Sequence, residues 1–394
     1  LMTPHLLLTY DFPPIGGGLS RYMAELARAW PGGGLHVSTG THDGSEIFDA
    51  TLPGRIHRVQ TGSKRLRTLP GLLRWARHAR VVCAGEDIGF QWCGNFKPAA
   101  YPARWVKLRL GIGYGIIVHG MDMLRVREQV RNSPRKRRVA ASLFGGASVV
   151  VANSGFTGSL TRSVLDAIGL GDRIPVRAVP LGTDPLMFRP GIDTDLVRER
   201  FGLRSDRRWL LTVARLTRHK GIDTGIAALA RLAGEYPALS YAVAGTGERR
   251  EELETRARAC GLADRVRFLG AVSDEDLPAL YNTADIYLGV SRESDGMVEG
   301  FGISLVEASA SGLPVIAGRS GGISDAVREN ETGLLVDPDD PAAVAAAVSR
   351  LLDDTELGRT LGAGGRLAVE QFYNWDRVAG ELAGIGEECA TERS

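Results

Sequence analysis

The sequence predicts two open α/β domains of similar size, each built on a parallel sheet. Three observations lead there. Short β-rich apolar runs alternate with longer helical patterns almost end to end; the alternation occurs twice; and between the two occurrences lies Pro180–Pro190, PLGTDPLMFRP, with three prolines, one glycine and no periodicity, the mark of a linker. At 394 residues the chain is long enough for two domains, each with its own core. The first domain is expected over residues 1–185 with 375–394 returning to it, and the second over 186–374.

In the first domain the candidate strands are His5–Thr9, His36–Ser38, Arg55–Val59, Ile116–His119, Val149–Ala152 and Val176–Val179. Helical patterns lie between them at Leu19–Trp30, Ala99–Leu110, Arg137–Phe144 and Gly155–Ala167. The second domain has strands at Trp209–Val213, Ser240–Ala244, Val266–Leu269, Ile286–Gly289, Val315–Ala317 and Gly333–Val336. Its helices are Ile222–Glu235, Arg249–Cys260, Asp274–Thr283, Gly302–Ser311 and Ala342–Leu352. Trp375–Gly386 is helical in pattern but follows a completed sheet, so it is read as crossing back onto the first domain. Two such domains leave a cleft at the carboxyl ends of their sheets, where folds of this class bind ligands.

Composition excludes several classes. With 44% hydrophobic and 24% charged residues the chain folds and is not fibrous. No run approaches the roughly 20 apolar residues of a membrane span, and the start of the chain reads as a strand rather than a leader, so a cytoplasmic protein is expected. Cys83, Cys93, Cys260 and Cys389 have neither zinc-ligand nor disulfide-framework spacing. Net charge is only +2, but residues up to 188 carry 24 basic and 12 acidic side chains and the remainder 24 and 34. Basicity concentrates in Lys64–Arg80 and Arg125–Arg138, the second with seven basic residues against Glu128 alone. Such stretches are either a solvated face or a contact for an anionic acceptor or the inner face of a membrane. No nucleic-acid-binding signature accompanies them.

Four loops carry chemistry. In Glu299-Gly-Phe-Gly-Ile-Ser-Leu-Val-Glu307, Gly300 and Gly302 let the backbone approach a ligand, and the N–H groups near Gly302 and Ile303 open a helix and favour a phosphate. Glu307 lies within that helix, either placed to accept hydrogen bonds from a ribose diol or simply an exposed helix residue, while Glu299 precedes it and either faces whatever the phosphate carries or is a first-turn charge. In Val213-Ala-Arg215-Leu-Thr-Arg-His-Lys220-Gly221, Arg215 and Lys220 leave a strand end, either as two cations for a diphosphate or as a surface pair. Asp11–Gly18, DFPPIGGG, sets Gly17 and Gly18 between the first strand and first helix. Val118-His119-Gly120-Met-Asp122 ends a strand with an imidazole at its carboxyl edge. Neither GxGxxG with a following acid nor GxxxxGK[ST] occurs, so a dinucleotide fold and a P-loop are not supported.

Together these elements resemble the family 4 glycosyltransferases of the two-domain GT-B fold. The likeness covers nearly the whole chain through DFPPxxGG, HGMD, Val149–Ser154, Val179–Asp184, the RLxxxKG element and the E-x7-E element with GLPVIA after it, and is thinnest over Thr41–Pro98. It is nearest the hexosyl- and mannosyltransferase members, the phosphatidylinositol mannosyltransferases among them. The resemblance implies a nucleotide-sugar donor held by the second domain and an acceptor by the first. Carried onto this chain, Arg215 and Lys220 bind the diphosphate and Glu307 the ribose. Glu299, Gly300, Phe301, Gly302 and Ile303 position sugar and phosphate, Gly17 and Gly18 pack on them from the other side, His119 contacts the sugar, and the backbone near Val272 meets the base.

Members with this pattern retain anomeric configuration without a bound metal. The Asp-x-Asp pairs at 193–195, 274–276 and 337–339 precede helical patterns and are read as caps rather than metal ligands. The expectation is therefore transfer of a hexose from UDP- or GDP-hexose to an acceptor hydroxyl by same-face displacement, with no cofactor and no metal, domain closure about Pro180–Pro190 completing the site. The acceptor is a small molecule or a lipid-linked one, favoured as anionic by the basic stretches. A nucleotide-sugar epimerase of the same fold and a non-catalytic anion- or lipid-binding scaffold are the alternatives.

Overall fold

A computed structural model describes residues 3–391 of the chain. It divides into two compact units, one running to Pro180 and resuming at Trp375, the other Leu181–Asn374. In the first unit the strands are β1 His5–Leu8, β2 Leu35–Thr41, β3 Ile56–Gly62, β4 Phe90–Cys93, β5 Gly113–Val118, β6 Val149–Ala152 and β7 Val176–Ala178. They form one parallel sheet in the order β3-β2-β1-β4-β5-β6-β7. In the second unit, β8 Arg208–Val213, β9 Leu239–Ala244, β10 Val266–Gly270, β11 Ile286–Gly289, β12 Val315–Gly318 and β13 Gly333–Val336 form a parallel sheet in the order β10-β9-β8-β11-β12-β13.

The central strands are buried along their whole length because helices cover both faces, which is why they read as continuous apolar runs. Each sheet builds outward in one direction and then reverses: β4 pairs with β1 after β3, and β11 with β8 after β10. The carboxyl ends of β1 and β4, and of β8 and β11, are therefore the switch points where crevices open in such sheets.

Elements lie where the sequence showed none, the helices Gly120–Asn132 and Ser45–Asp49 among them, and three more shape the packing. The strand Phe90–Cys93 passes through the core with Gln91 in it, whose amide donates to the carbonyls of Ala103 and Ile112 at 3.3 and 3.1 Å. The helix Leu69–Gly85 occupies much of the first basic stretch, burying Trp75, Ala76, Ala79, Val82 and Cys83 on one side. The helix Thr355–Gln371 contains six residues of glycine and alanine, at 358, 362–365 and 368, and buries Gly358, Gly362 and Gly365.

Pro180–Pro190 is not a linker over its length. Leu181, Thr183 and Phe188 are buried in the second unit, Thr183 N donates to the Tyr373 carbonyl at 2.9 Å, and Thr183 bridges Asn374. Its aperiodicity reflects an irregular packed segment. Trp375–Thr391 is a helix of the first unit, as expected, with Trp375 stacked on Tyr22 at 5.4 Å and Val378, Ala379, Leu382 and Ala383 buried.

Candidate active site

In the second unit β8 ends at Val213 and the chain turns through Arg218–Lys220 into the helix Ile222–Leu232. Gly221 takes φ +67°, and a methyl at its Cα would overlap the Val290 carbonyl oxygen beyond β11. Only glycine lets these two loops touch backbone to backbone. That contact sets Lys220 beside Glu299, and the two form an ion pair with side chains only 16% and 19% exposed. Gly302, at φ +93°, then opens the helix Ile303–Ala310, whose first-turn N–H groups have no carbonyl within the helix to bond. Lys220, Glu299, Gly302 and Ser304 share one small cavity with Thr212, Tyr287 and Ser291.

Burial pushes the Glu299 carboxyl up, but the Lys220 ammonium, with His219 and Arg215 farther off, outweighs it and holds the group below the usual carboxylate range. Burial and the adjacent Lys220 take His219 down to about 4, so this ring is neutral at pH 7 and serves the loop by bonding Thr217 Oγ1 through Nδ1 at 3.1 Å. Arg215 is exposed in the same loop. Two further features hold this loop. Gly245 and Gly247 bring the β9 loop against it, with Leu216 N donating to Thr246 O at 2.9 Å and Arg249 N to Leu216 O at 3.2 Å. Buried Arg292 donates to both Asp223 oxygens at 2.9 and 2.7 Å and to Thr224 Oγ1 at 2.8 Å, tying the β11 loop to the helix after Lys220.

Glu307 lies in the Ile303–Ala310 helix, only 3% exposed, accepting a 2.7 Å bond from the Tyr281 hydroxyl. Phe301 is buried against Tyr373, so only its backbone is presented to a ligand. Gly300 and Ile303 are half-buried on either side of it, and Val272 is half-buried in the loop after β10. Two of the three Asp-x-Asp pairs make local turns rather than caps, Asp193 and Asp337 accepting from Asp195 N and Asp339 N at 3.0 and 2.9 Å, and Asp276 of the third precedes the helix Leu277–Asn282 without a side-chain cap bond and pairs with Arg200. The cap of the helix Pro341–Asp353 is Asp340, next to the pair rather than in it.

In the first unit the loop after β1 is anchored at one end and open at the other. Phe12 is buried, and Arg58 donates to the Pro13 carbonyl at 2.7 Å while gripping Asp49 with two bonds. Beyond it Gly17 takes φ +128°, and nothing lies within 4 Å of a methyl built on Gly17 or Gly18. His119 ends β5 and caps the helix Gly120–Asn132; its Nε2 hydrogen bonds the Gly94 carbonyl at 3.0 Å and its ring meets the edge of Tyr22. Asn95 and Asn153, after β4 and β6, were not singled out in the sequence, yet both are buried at this edge with amide atoms that no group among the described residues satisfies. A lone asparagine after a strand carries no spacing that would mark it.

Asp122 Oδ1 accepts from His119 N at 2.8 Å. Burial lifts its carboxyl to about 6 against the pull of His119 and nearby backbone N–H groups. Between about pH 4 and pH 6 the unfolded chain releases a proton that the folded chain keeps, so this group's contribution to stability is complete below pH 4 and is lost as pH rises through 6. Asp122→Asn should therefore be more stable than the parent at pH 7.5 by up to about 3 kcal/mol. The gap should narrow towards pH 4.5 in urea unfolding at a series of pH values; a gap independent of pH would contradict this account.

The cradle in the second unit thus offers two cations, a helix start and two carboxylates at a switch point, the pattern expected for a nucleoside diphosphate carrying a sugar. The group 1 glycosyl transferase family model matches residues 193–368. Over 388 residues, 97% of each chain, the protein is 34% identical to the GDP-mannose-dependent α-(1-6)-phosphatidylinositol monomannoside mannosyltransferase of Mycobacterium tuberculosis. The chain belongs to the group 1 glycosyltransferases, family 4 of the GT-B fold. This glycosyltransferase is also 34% identical over 266 residues to the D-inositol 3-phosphate glycosyltransferase of Acidothermus cellulolyticus, covering 64% of its own chain and 56% of the relative. The fold is shared with Anabaena HepE, whose crystal structure holds UDP and glucose, at TM-score 0.74 and 21% identity over 97% of this glycosyltransferase and 99% of HepE. Among the described residues no helix is long and apolar enough to cross a membrane.

Proposed function

We propose that this glycosyltransferase moves mannose from GDP-mannose to a hydroxyl of an acceptor bearing an inositol phosphate group, with retention at the anomeric carbon and without a bound metal. The observation that carries the reading is the Lys220–Glu299 pair beside the start of the Ile303–Ala310 helix. Lys220 keeps N–H donors for the leaving phosphate while paired, and Glu299 keeps lone pairs for sugar hydroxyls. As the sugar–phosphate bond lengthens, negative charge grows on the diphosphate, where Arg215, Lys220 and the helix N–H groups stabilise it. The acceptor hydroxyl adds to C1 from the face the diphosphate leaves, and its proton passes to the departing phosphate oxygen. His119, with one ring nitrogen committed to Gly94, positions the sugar rather than exchanging a proton with it. Glu307, oriented by Tyr281, accepts from the ribose.

The donor assignment is supported by the mycobacterial relative, which is GDP-mannose-dependent and matched along 97% of both chains. The two relatives' acceptors share an inositol phosphate group. Arg135, Lys136, Arg137 and Arg138 are exposed on the helix Pro134–Phe144 and pair with no carboxylate among the described residues, which suits an acceptor held by its phosphate or by an anionic membrane surface. Titration calorimetry with GDP, UDP and ADP should show selective GDP binding that EDTA does not change. Radiolabelled mannose should then appear in phosphatidylinositol mannoside presented in vesicles, or in a free inositol phosphate, the two arms separating lipid from soluble acceptor. Absence of binding by all three nucleotides would overturn the reading in favour of a scaffold.

A further inference from the structure

Away from the switch point, at the opposite end of the first sheet, His36 and His57 are the second residues of the neighbouring parallel strands β2 and β3. Their ring centroids lie 5.2 Å apart with the planes 8° from parallel, and His36 Nδ1 and His57 Nε2 are 3.0 Å apart. Glu86, at the end of the helix Leu69–Gly85, brings a carboxylate to the same place, so that one ligand atom from each residue lies within 4.8 Å of the others. His36 is 8% exposed and the other two are half-buried.

The separation of the two nitrogens is the notable quantity. Two imidazoles bound to one zinc ion at about 2.0–2.1 Å in tetrahedral geometry hold their ligand nitrogens about 3.3 Å apart. The nitrogens already stand close to that separation, and the two rings, now edge to edge, must turn so that their lone pairs converge on an ion instead of facing each other. The strand register fixes both backbones, so little side-chain freedom is lost on binding. Glu86 now pairs with Arg55, whose side chain is 69% exposed and swings into water at small cost when the carboxylate turns to a cation. An N,N,O set with one position left for water suits zinc better than magnesium or calcium, which take oxygen ligands.

We propose that His36, His57 and Glu86 form a zinc site that staples β2 and β3 to the end of the Leu69–Gly85 helix. It lies at strand starts, whereas the glycosyl-transfer residues lie at strand ends, so it acts on the stability of the first unit and not on the reaction. Histidine pairs of this kind also occur simply as hydrogen-bonded rings, and the experiment separates the two. Zinc ions added to metal-free protein in competition with a chromophoric chelator should bind with a stoichiometry of one per chain and raise the Tm. Cobalt(II) in its place should give the intense visible bands of a tetrahedral ion. Glu86→Gln and His57→Gln, both at half-exposed positions, should each weaken zinc binding more than about tenfold while GDP binding stays unchanged. A folded protein that takes up no zinc at micromolar concentration would overturn the proposal. So would zinc binding equally tight in both variants, which would place the ion elsewhere.

Discussion

Lys220→Ala is expected to lower kcat by about 10²–10³-fold, some 2.7–4 kcal/mol of transition-state stabilisation, because it deletes one fixed donor at the leaving phosphate. The same change strips Glu299 of the ammonium that holds its carboxyl low, and an uncompensated carboxylate at this depth costs on the order of 3 kcal/mol of stability. Loss of activity in the single variant is thus open to a trivial cause. The double substitution Lys220→Met with Glu299→Gln separates the two effects, since it removes both charges and leaves neither buried alone. Its Tm should return most of the way to the parent value while kcat stays low. A double variant that regains turnover along with Tm would show that Lys220 serves the fold and not the reaction.

The second large effect is expected from Gly221→Ala. The new methyl meets the Val290 carbonyl and sits on a backbone at φ +67°, so the loops must part or the helix start must rewind. A cost of about 3–5 kcal/mol should appear in the urea transition of the second unit. GDP affinity should fall with it, because Lys220 is the preceding residue and moves with the loop. Gly16→Ala is the matched control: it lies in the glycine loop of the first unit, outside the left-handed region and with no atom within 4 Å of the new methyl. It should change stability by less than about 0.5 kcal/mol.

Most strands and the loops that bear the site were legible in the sequence because apolar runs, glycines and charged residues recur there at fixed offsets. What escaped did so for identifiable reasons. Phe90–Cys93 has a glutamine in a four-residue run, and only the carbonyls of Ala103 and Ile112, distant in the chain, make that glutamine admissible in a core strand. The Leu69–Gly85 helix hides its apolar side among arginines. The glycines of Thr355–Gln371 look like helix breakers, yet Gly362, Gly364 and Gly365 let this helix lie against Gly312, Glu331 and Ser309 without side chains intervening. At the site, the E-x7-E spacing picked out both carboxylates but not their depth. That Glu307 is buried follows from Tyr281, whose place beside it is set by the packing of two helices and by no local pattern.

The helix Trp375–Thr391 has a consequence for how the protein comes off the ribosome. Its apolar side fills a gap against the Gly18–Ala29 helix and the central strands, where Gly386 lies so close over His5 that no larger residue fits. The first unit to be synthesised is therefore the last to be finished. Its sheet emerges early, but must wait with Tyr22 and its neighbours uncovered until the entire second unit has been translated and the closing segment is released. The second unit, contiguous from Leu181 to Asn374, has no such delay. A released chain ending at Asn374 should hold a folded second unit and a first unit still open to proteases and chaperones.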